Sequence, residues 1–468
     1  MTTAIEAGFS LPALDPDLAY VSDYLWLPRK HVPVESIKTS LQFYTPDGRG
    51  GMVLEKLWRE TIDHMVVPRE YLPLEHYAKH PFRIVDLRPE FFPEAGLRFV
   101  GKLWDEQLPA AAALAAAPGG ILNLSPGRGK TILALHRAAQ LNVPTLVVTH
   151  NTQIFDQWYE DEIPEYLQLP EGTNIGRIQG PEFDWKQPIT VAMIHTLARR
   201  VKEGRIPPEF HRWFGLAIYD EVHHLSARFF NPTAPLVLGE RLGLTATLER
   251  EDHQEFIITY HLGDILYQDL SMDMVPDVFF QLTPTRLDID RDKRVLDIKG
   301  KLSIPKLRST MGDVAVGNEY REHCIRQDLA DGRKVFAISH SKRQCIELAS
   351  RFPEAALLID DNRSKGDKRN RMDVIRNSQV TFSIAQLGTE GMNDVKIDSL
   401  HWLTPFKNRK DLRQGIGRLQ RYHPDKQHPK VVIYDDVYVA PLTAMCKKLK
   451  GFLRELGLQF RTLPAPQI

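Results

Sequence analysis

The segment Ser125-Pro126-Gly127-Arg128-Gly129-Lys130-Thr131 constrains this chain more than any other. An apolar run, Ile121 to Leu124, leads into it, and a helical pattern from Ile132 to His136 leads out. Strand, glycine loop, helix is the local frame of a phosphate-binding loop. Its glycines let backbone N–H groups approach phosphate oxygens, and the helix N-terminus favours negative charge there. In that reading Lys130 reaches the β- and γ-phosphates and the Thr131 hydroxyl holds Mg2+. The strict pattern begins with glycine where this chain has Leu124; Pro126-Gly127 can make the turn instead.

A second motif supplies carboxylates. Leu216 to Tyr219 reads as a buried parallel strand, and it ends in Asp220-Glu221-Val222-His223. Acids at the C-terminal end of such a strand lie where open α/β sheets bind ligands. Asp220 can hold Mg2+ through water, and Glu221 can orient or deprotonate an attacking water.

The remaining apolar runs make the chain an α/β protein with two parallel sheets in tandem. The first series is Ile121–Leu124, Thr145–Val148, Thr190–Met193, Leu216–Tyr219 and Leu242–Leu244. A second begins near Val278 and includes Lys334–Ile338, Ala356–Ile359, Val380–Ile384, Ser399–Trp402 and Val431–Tyr434. Strands alternating with helices imply a sheet covered on both faces. Pro284 to Gly312 reads as a hairpin or linker, and Pro441 to Leu458 as an amphipathic helix with Lys447, Lys448, Lys450 and Arg454 on its polar side. The alanine-rich stretch Ala110 to Ala117 is too short to span a membrane. It reads as a packed helix before the loop strand. The boundaries that follow are 1–96 for a small α+β N-terminal accessory domain, 97–274 and 275–440 for the two sheets, and 441–468 for a helical tail.

The N-terminal part contains a near-repeat. Leu25-Trp26-Leu27-Pro28-Arg29 through Glu35 resembles Met65-Val66-Val67-Pro68-Arg69 through Glu75. Each copy predicts a strand, a sharp turn and a short helix near its second proline. Arg29 and Arg69 either contact phosphates or pin the turns.

Charge narrows the partners. Lys+Arg and Asp+Glu are both 60, so a surface for nucleic acid must be local. Cys324, Cys345 and Cys446 are too widely spaced for a metal pattern and predict no disulfide framework, which suits a reducing, cytoplasmic setting. Residues 1–17 carry no secretion pattern. His223-His224 lacks the further ligands a metal needs. Trp158, Trp185 and Trp213 read as packed aromatics, and the run Lys407 to Lys410 as either a strand contact or a solvated loop.

One helix remains, Gln414-Gly415-Ile416-Gly417-Arg418-Leu419-Gln420-Arg421. Arginines three apart share a helix face. From the second sheet, Arg418 and Arg421 can act as arginine fingers on a γ-phosphate, an effect worth roughly 10³–10⁵ in rate.

In this order the motifs resemble those of superfamily-two helicases and translocases, over about residues 97–440. The resemblance implies two RecA-like domains, ATP and Mg2+ as cofactors, and a nucleic-acid partner. Leu146–His150 with Gln157-Trp158, Ala192–Leu197, Val335–Ser339 and Gly388–Asn393 look like its strand-contacting motifs. The implied contacts are Thr149, Gln157, Thr196, Ser339, Thr389, Glu390 and Gly391. Gln107 falls where the family has an adenine-reading glutamine. Gln414 joins the arginines in the catalytic set, and His223, Thr245 and Thr247 couple ATP to the strand. The Asp-Glu-Val-His form is most similar to phage branched-DNA helicases and XPB-like helicases, which implies DNA in replication, recombination or repair. An RNA helicase, and a duplex DNA translocase that separates no strands, stay open. Both halves of the ATP site lie on one chain, so a monomer suffices.

Overall fold

A strand followed by a helix and a second parallel strand returns to its sheet in one hand only, so a series of such units builds one twisted sheet. This chain builds two. The computed structural model describes residues 14–46, 51–72, 74–224, 227–246, 248, 255–271, 274–289, 292–359, 373–385, 394, 396–406, 409–419 and 423–467. It divides into two compact units, Met1–Leu270 and Ser271–Ile468.

The first unit centres on an eight-stranded sheet. Its order is Glu182–Asp184, Ile175–Gln179, Ile189–Met193, Thr145–Thr149, Leu216–Tyr219, Glu240–Thr245, Gly119–Leu124 and Ile265–Asp269. Every neighbouring pair is parallel except the first. Successive side chains leave a strand on opposite faces. Leu146 and Val148 therefore enter one core and Val147 the other, and Ala217 and Tyr219 separate from Leu216 and Ile218 in the same way.

The near-repeat folds as two strands, Tyr24–Pro28 and His64–Pro68, that pair antiparallel with each other. Leu25 faces Val67 and Leu27 faces Met65, so each copy uses the other as its sheet neighbour. The helix Val34–Ser40 follows the first copy and the 3-10 turn Leu74–Lys79 the second. With Arg59–Glu60, Ala19–Val21 and Ile84–Asp86 these strands form a five-stranded sheet. Leu25, Leu27, Met65 and Val67 share one hydrophobic core with Leu146, Val148 and Tyr219 of the large sheet.

The two arginines of the repeat have different fates. Arg69 is buried and donates to the carbonyls of Leu238 and Gly239, both at 3.0 Å. Its Nε pairs with Glu70 at 3.0 Å. The turn-pinning reading is the one the structure gives Arg69. Arg29 remains partly exposed, 3.2 Å from Glu60 and from the Thr61 carbonyl.

The second unit carries a seven-stranded, all-parallel sheet. Its order is Ala356–Leu358, Val380–Ile384, Val335–Ser339, Ser399–Trp402, Lys430–Asp435, Asp277–Leu282 and Phe460–Leu463. The helix Ala440–Glu455 buries Leu442, Met445, Leu449 and Leu453. The chain does not end as a helical tail: Phe460–Leu463 adds an edge strand beside Asp277–Leu282. Between Pro284 and Gly312 lie a 3-10 turn, Lys293–Val295, a Leu296–Leu302 bridge and the helix Ile304–Gly312. Among the described residues no helix is long and apolar enough to cross a membrane.

Candidate functional site

The phosphate loop joins the strand Gly119–Leu124 to the helix Lys130–Leu141. Gly127 and Gly129 take φ of 87° and 80°, a region that costs a side-chain-bearing residue about 1–2 kcal/mol. The loop is anchored at its start, where the Ser125 N–H donates to the Asp269 carbonyl at 2.9 Å, and the Arg128 N–H closes a turn onto the Ser125 carbonyl at 3.2 Å. The Arg128 guanidinium lies 3.8 Å from the Asp269 carboxylate. Pro126 sits inside that turn, and Thr131 is the second residue of the helix. The Lys130 ammonium donates to the Leu124 carbonyl at 3.1 Å, which makes the position without glycine a resting partner for the lysine.

Gln107 is buried against this loop. Its side-chain oxygen accepts from the Trp104 N–H at 3.0 Å, and its amide nitrogen reaches the Arg128 carbonyl at 3.4 Å. A Cβ on Gly129 would fall 2.1 Å from that nitrogen. A side chain at position 129 would therefore displace the Gln107 amide from its present place.

Sheet order brings the acids to the loop. The strand Glu240–Thr245 runs between the loop strand and Leu216–Tyr219. Asp220 and Glu221 leave the end of Leu216–Tyr219, with the Asp220 N–H held by the Val148 carbonyl at 3.0 Å. The Asp220 carboxylate is buried. Its Oδ1 accepts from the Glu221 N–H at 2.8 Å and its Oδ2 from the Trp158 indole at 2.7 Å. Burial, with Glu221 beside it, pushes the Asp220 carboxyl up to about 6, against the pull of Trp158 and Lys130. Glu221 holds φ of 45°, a strained value for a residue with a side chain.

The middle strand ends at Thr245, beside His223. The His223 Nδ1 lies 2.8 Å from the Thr245 hydroxyl and 3.4 Å from the Glu221 carboxylate. The structure therefore joins Glu221, His223 and Thr245 in one chain of contacts.

The expected strand contacts are placed differently. Thr149 and Ser339 are fully buried. The Thr149 hydroxyl points back to the Ala192 carbonyl at 3.5 Å, and that of Ser339 donates to Gln344 at 2.6 Å. Both side chains are held inside the fold. Thr196 accepts from the Gly180 N–H at 3.1 Å, and Gln157 donates to Glu162 at 2.7 Å. Gln414 and Arg418 lie in the helix Arg409–Leu419. Thr247, Thr389, Glu390, Gly391 and Arg421 fall outside the described residues. Trp158, read from sequence as a packed aromatic, has a second role as the donor to Asp220; nothing in its own spacing signals that bond.

Comparison with known proteins agrees with this geometry. The family model for the res subunit of type III restriction enzymes matches residues 102–250. A protein of Acanthamoeba polyphaga mimivirus, provisionally named an ATP-dependent RNA helicase, is 24% identical over 68% of this chain and 60% of its own length. The DNA 3'-5' helicase XPB of Mycobacterium tuberculosis is 38% identical over 33% of this chain and 28% of its own. A protein of Escherichia phage T5, provisionally named a helicase, is 27% identical over 67% of this chain and 66% of its own. The match thus spans less than two thirds of each relative. Among solved structures, Saccharomyces cerevisiae Dbp5 bound to RNA and ADP BeF3 superposes with a TM-score of 0.54 at 10% identity, over 77% of this chain and 89% of that one. That likeness is one of fold, two RecA-like domains in tandem. Motif order, fold and these relatives together make the chain similar to the superfamily-two helicases and translocases, with the matching family model confined to residues 102–250.

Proposed function

We propose that the protein is an ATP-dependent DNA helicase or translocase, acting on branched or duplex DNA in replication, recombination or repair. The observation that carries this reading is the set of contacts at one end of the first sheet, where the phosphate loop, the Asp220-Glu221 pair and the His223–Thr245 bond meet. The XPB match at 38% identity favours DNA over RNA.

The residues fit a bound Mg2+. Mg2+ is commonly held by one or two carboxylates and the substrate's phosphates, and the Asp220 carboxylate and the Thr131 hydroxyl supply oxygen donors of that kind. Asp220 and the Thr131 hydroxyl would hold it, and it would neutralise charge developing on the phosphates.

The chain's own groups do the rest. Backbone N–H groups of Gly127 to Lys130 face the phosphates, and Lys130 exchanges the Leu124 carbonyl for the β/γ oxygens. Glu221 takes the proton of the attacking water or aligns it. Arg418 and Arg421 are the arginine fingers of this reading, and removing either should slow turnover far more than it weakens nucleotide binding. His223 and Thr245 relay the state of the phosphate to the strand-contacting segments. DNA is gripped mainly through its phosphates, so affinity falls with salt.

The test is ATP hydrolysis with no nucleic acid, single-stranded DNA, duplex DNA, a four-way junction and matched RNA. Stimulation by duplex or branched DNA, with little from RNA, is the expected result. Stimulation by RNA alone would move the protein to the RNA helicases. Strand displacement measured beside triplex displacement separates unwinding from translocation.

A further inference from the structure

The segment between the strand Thr145–Thr149 and the edge of the sheet is one continuous helical stretch of unusual form. Asn151 caps it, its side chain accepting from the Ile154 N–H at 2.8 Å. An ordinary helix, Thr152–Asp156, gives way to a π turn at Gln157–Glu162 and then to Ile163–Tyr166. Pro164 gives a local cause. Proline has no N–H, so the carbonyl four residues back loses its α-helical donor. The wider register is already visible one residue earlier, where the Ile163 N–H bonds to the Trp158 carbonyl, five residues back. Such turns are rare and concentrate at functional sites.

The π turn sets the direction in which Trp158 leaves the helix. Its ring is packed with Ile154, Phe155, Ile163 and Leu124 in the core on one face of the sheet. An indole there needs a partner for its N–H, and a buried carboxylate needs donors. Each answers the other at 2.7 Å. The bond joins two segments 62 residues apart. One carries the carboxylate of the ATP site. The other continues directly from Thr149-His150, where the chain is expected to touch a nucleic-acid strand.

We infer that Trp158 is a positioning residue: its N–H fixes the rotamer of Asp220 and carries nucleic-acid engagement of the Thr149–Gln157 segment into the ATP site. This rests on the function proposed above. A shift of the capped helix by a strand of DNA moves the indole, and the indole takes the carboxylate with it. Phenylalanine at this position keeps most of the packed ring and loses only the donor.

The experiment uses the full chain and two readouts other than turnover. The first is affinity for a fluorescent ADP, with and without Mg2+, in wild type and Trp158→Phe. Outer-shell partners of metal ligands are worth about 10–100-fold in metal affinity. The expected result is unchanged Mg2+-free affinity and a Mg2+ requirement raised about tenfold. The second is the NMR spectrum of the seven tryptophan indole N–H groups in wild type, with Asp220→Asn identifying the Trp158 resonance by its displacement. That resonance should move on adding Mg2+ with ADP, and also on adding a thymidine homopolymer alone. It needs no altered Trp158, so a Trp158→Phe protein that fails to fold leaves the test intact. An unchanged Mg2+ requirement in folded Trp158→Phe, or a resonance that ignores the homopolymer, overturns the inference. Wild type lacking any DNA-stimulated hydrolysis would instead overturn the functional reading, and the two failures are told apart by that assay.

Discussion

The two arginines of the N-terminal repeat make an internal control, because equivalent positions in sequence have opposite surroundings in the fold. Arg69→Ala removes a buried guanidinium and leaves the Leu238 and Gly239 carbonyls without a donor. Each such orphaned group costs about 1–3 kcal/mol, and the pair with Glu70, whose side chain is 35% exposed, adds about 0–1 kcal/mol. These costs are partly offset, since the variant is also relieved of burying the arginine. The net expectation is about 4 kcal/mol. Arg29→Ala loses one partly exposed ion pair, worth about 0–1 kcal/mol, and two longer bonds to the Thr61 and Ile62 carbonyls. Backbone hydrogen exchange in Tyr24–Pro28 and His64–Pro68 reads the difference where it acts. At tenfold per 1.4 kcal/mol, Arg69→Ala should speed exchange roughly a thousandfold and Arg29→Ala less than tenfold. Comparable acceleration by both would refute the burial argument. A loss of DNA affinity in Arg69→Ala with exchange unchanged would restore its reading as a phosphate contact.

Three other perturbations test the ATP site. Gly129→Ala places a Cβ at φ of 80° and against Gln107, so nucleotide affinity measured by fluorescence should fall at least about tenfold and the melting temperature by a few degrees; wild-type values of both would contradict the loop geometry. Glu221→Gln should bind ATP normally and lose about 10²–10⁴ in hydrolysis, and full turnover would remove Glu221 as the base. Asp220→Asn should stabilise the nucleotide-free protein, with a sign fixed by linkage. The Asp220 carboxyl is pushed up to about 6 from an ordinary 3.8, so the fold prefers it protonated. Stability tied to this group is present below the unfolded value and lost as pH rises through the folded one. The rise from 3.8 to about 6 makes the gain in Asp220→Asn about 3 kcal/mol near pH 8, shrinking toward pH 4. Melting curves at both pH values check this, and a gain independent of pH would refute it.

What the sequence made legible follows from what is periodic or local. Thr145–Val148, Leu216–Tyr219 and Leu242–Leu244 are apolar runs too short for helices, and such runs read as buried strands. The loop at Ser125–Thr131 is local too, since its glycines and lysine act within one turn. Edge strands escaped. Ile175–Gln179 reads Ile-Gly-Arg-Ile-Gln and Glu182–Asp184 is two acids around Phe183, patterns that a solvated loop shares. Phe460–Leu463 becomes a strand only because Asp277–Leu282 offers it an open edge. Side-chain partners across the sheet were also invisible. The Trp158–Asp220 bond and the Gln107–Gly129 fit depend on rotamers and on sheet order. Buried Thr149 shows that a position in a motif does not by itself say where its side chain lies.

The strand Glu240–Thr245 shows why the N-terminal sheet matters to the ATP site. At one end, buried Arg241 donates to the Asp23 carbonyl of the N-terminal sheet at 2.9 Å, and to Val237 and His261. Burial, with Arg69 nearby, pulls its guanidinium down to about 9, a sign of how much desolvation this junction accepts. At the other end of the same strand, Thr245 bonds to His223. A central strand hydrogen-bonded on both sides is among the stiffest elements a protein has, so its two ends move together. The N-terminal sheet therefore cannot shift without disturbing either the Arg241 bonds or the Thr245–His223 bond. Bonds at both ends of one strand therefore tie the N-terminal sheet to the segment that carries Asp220 and Glu221.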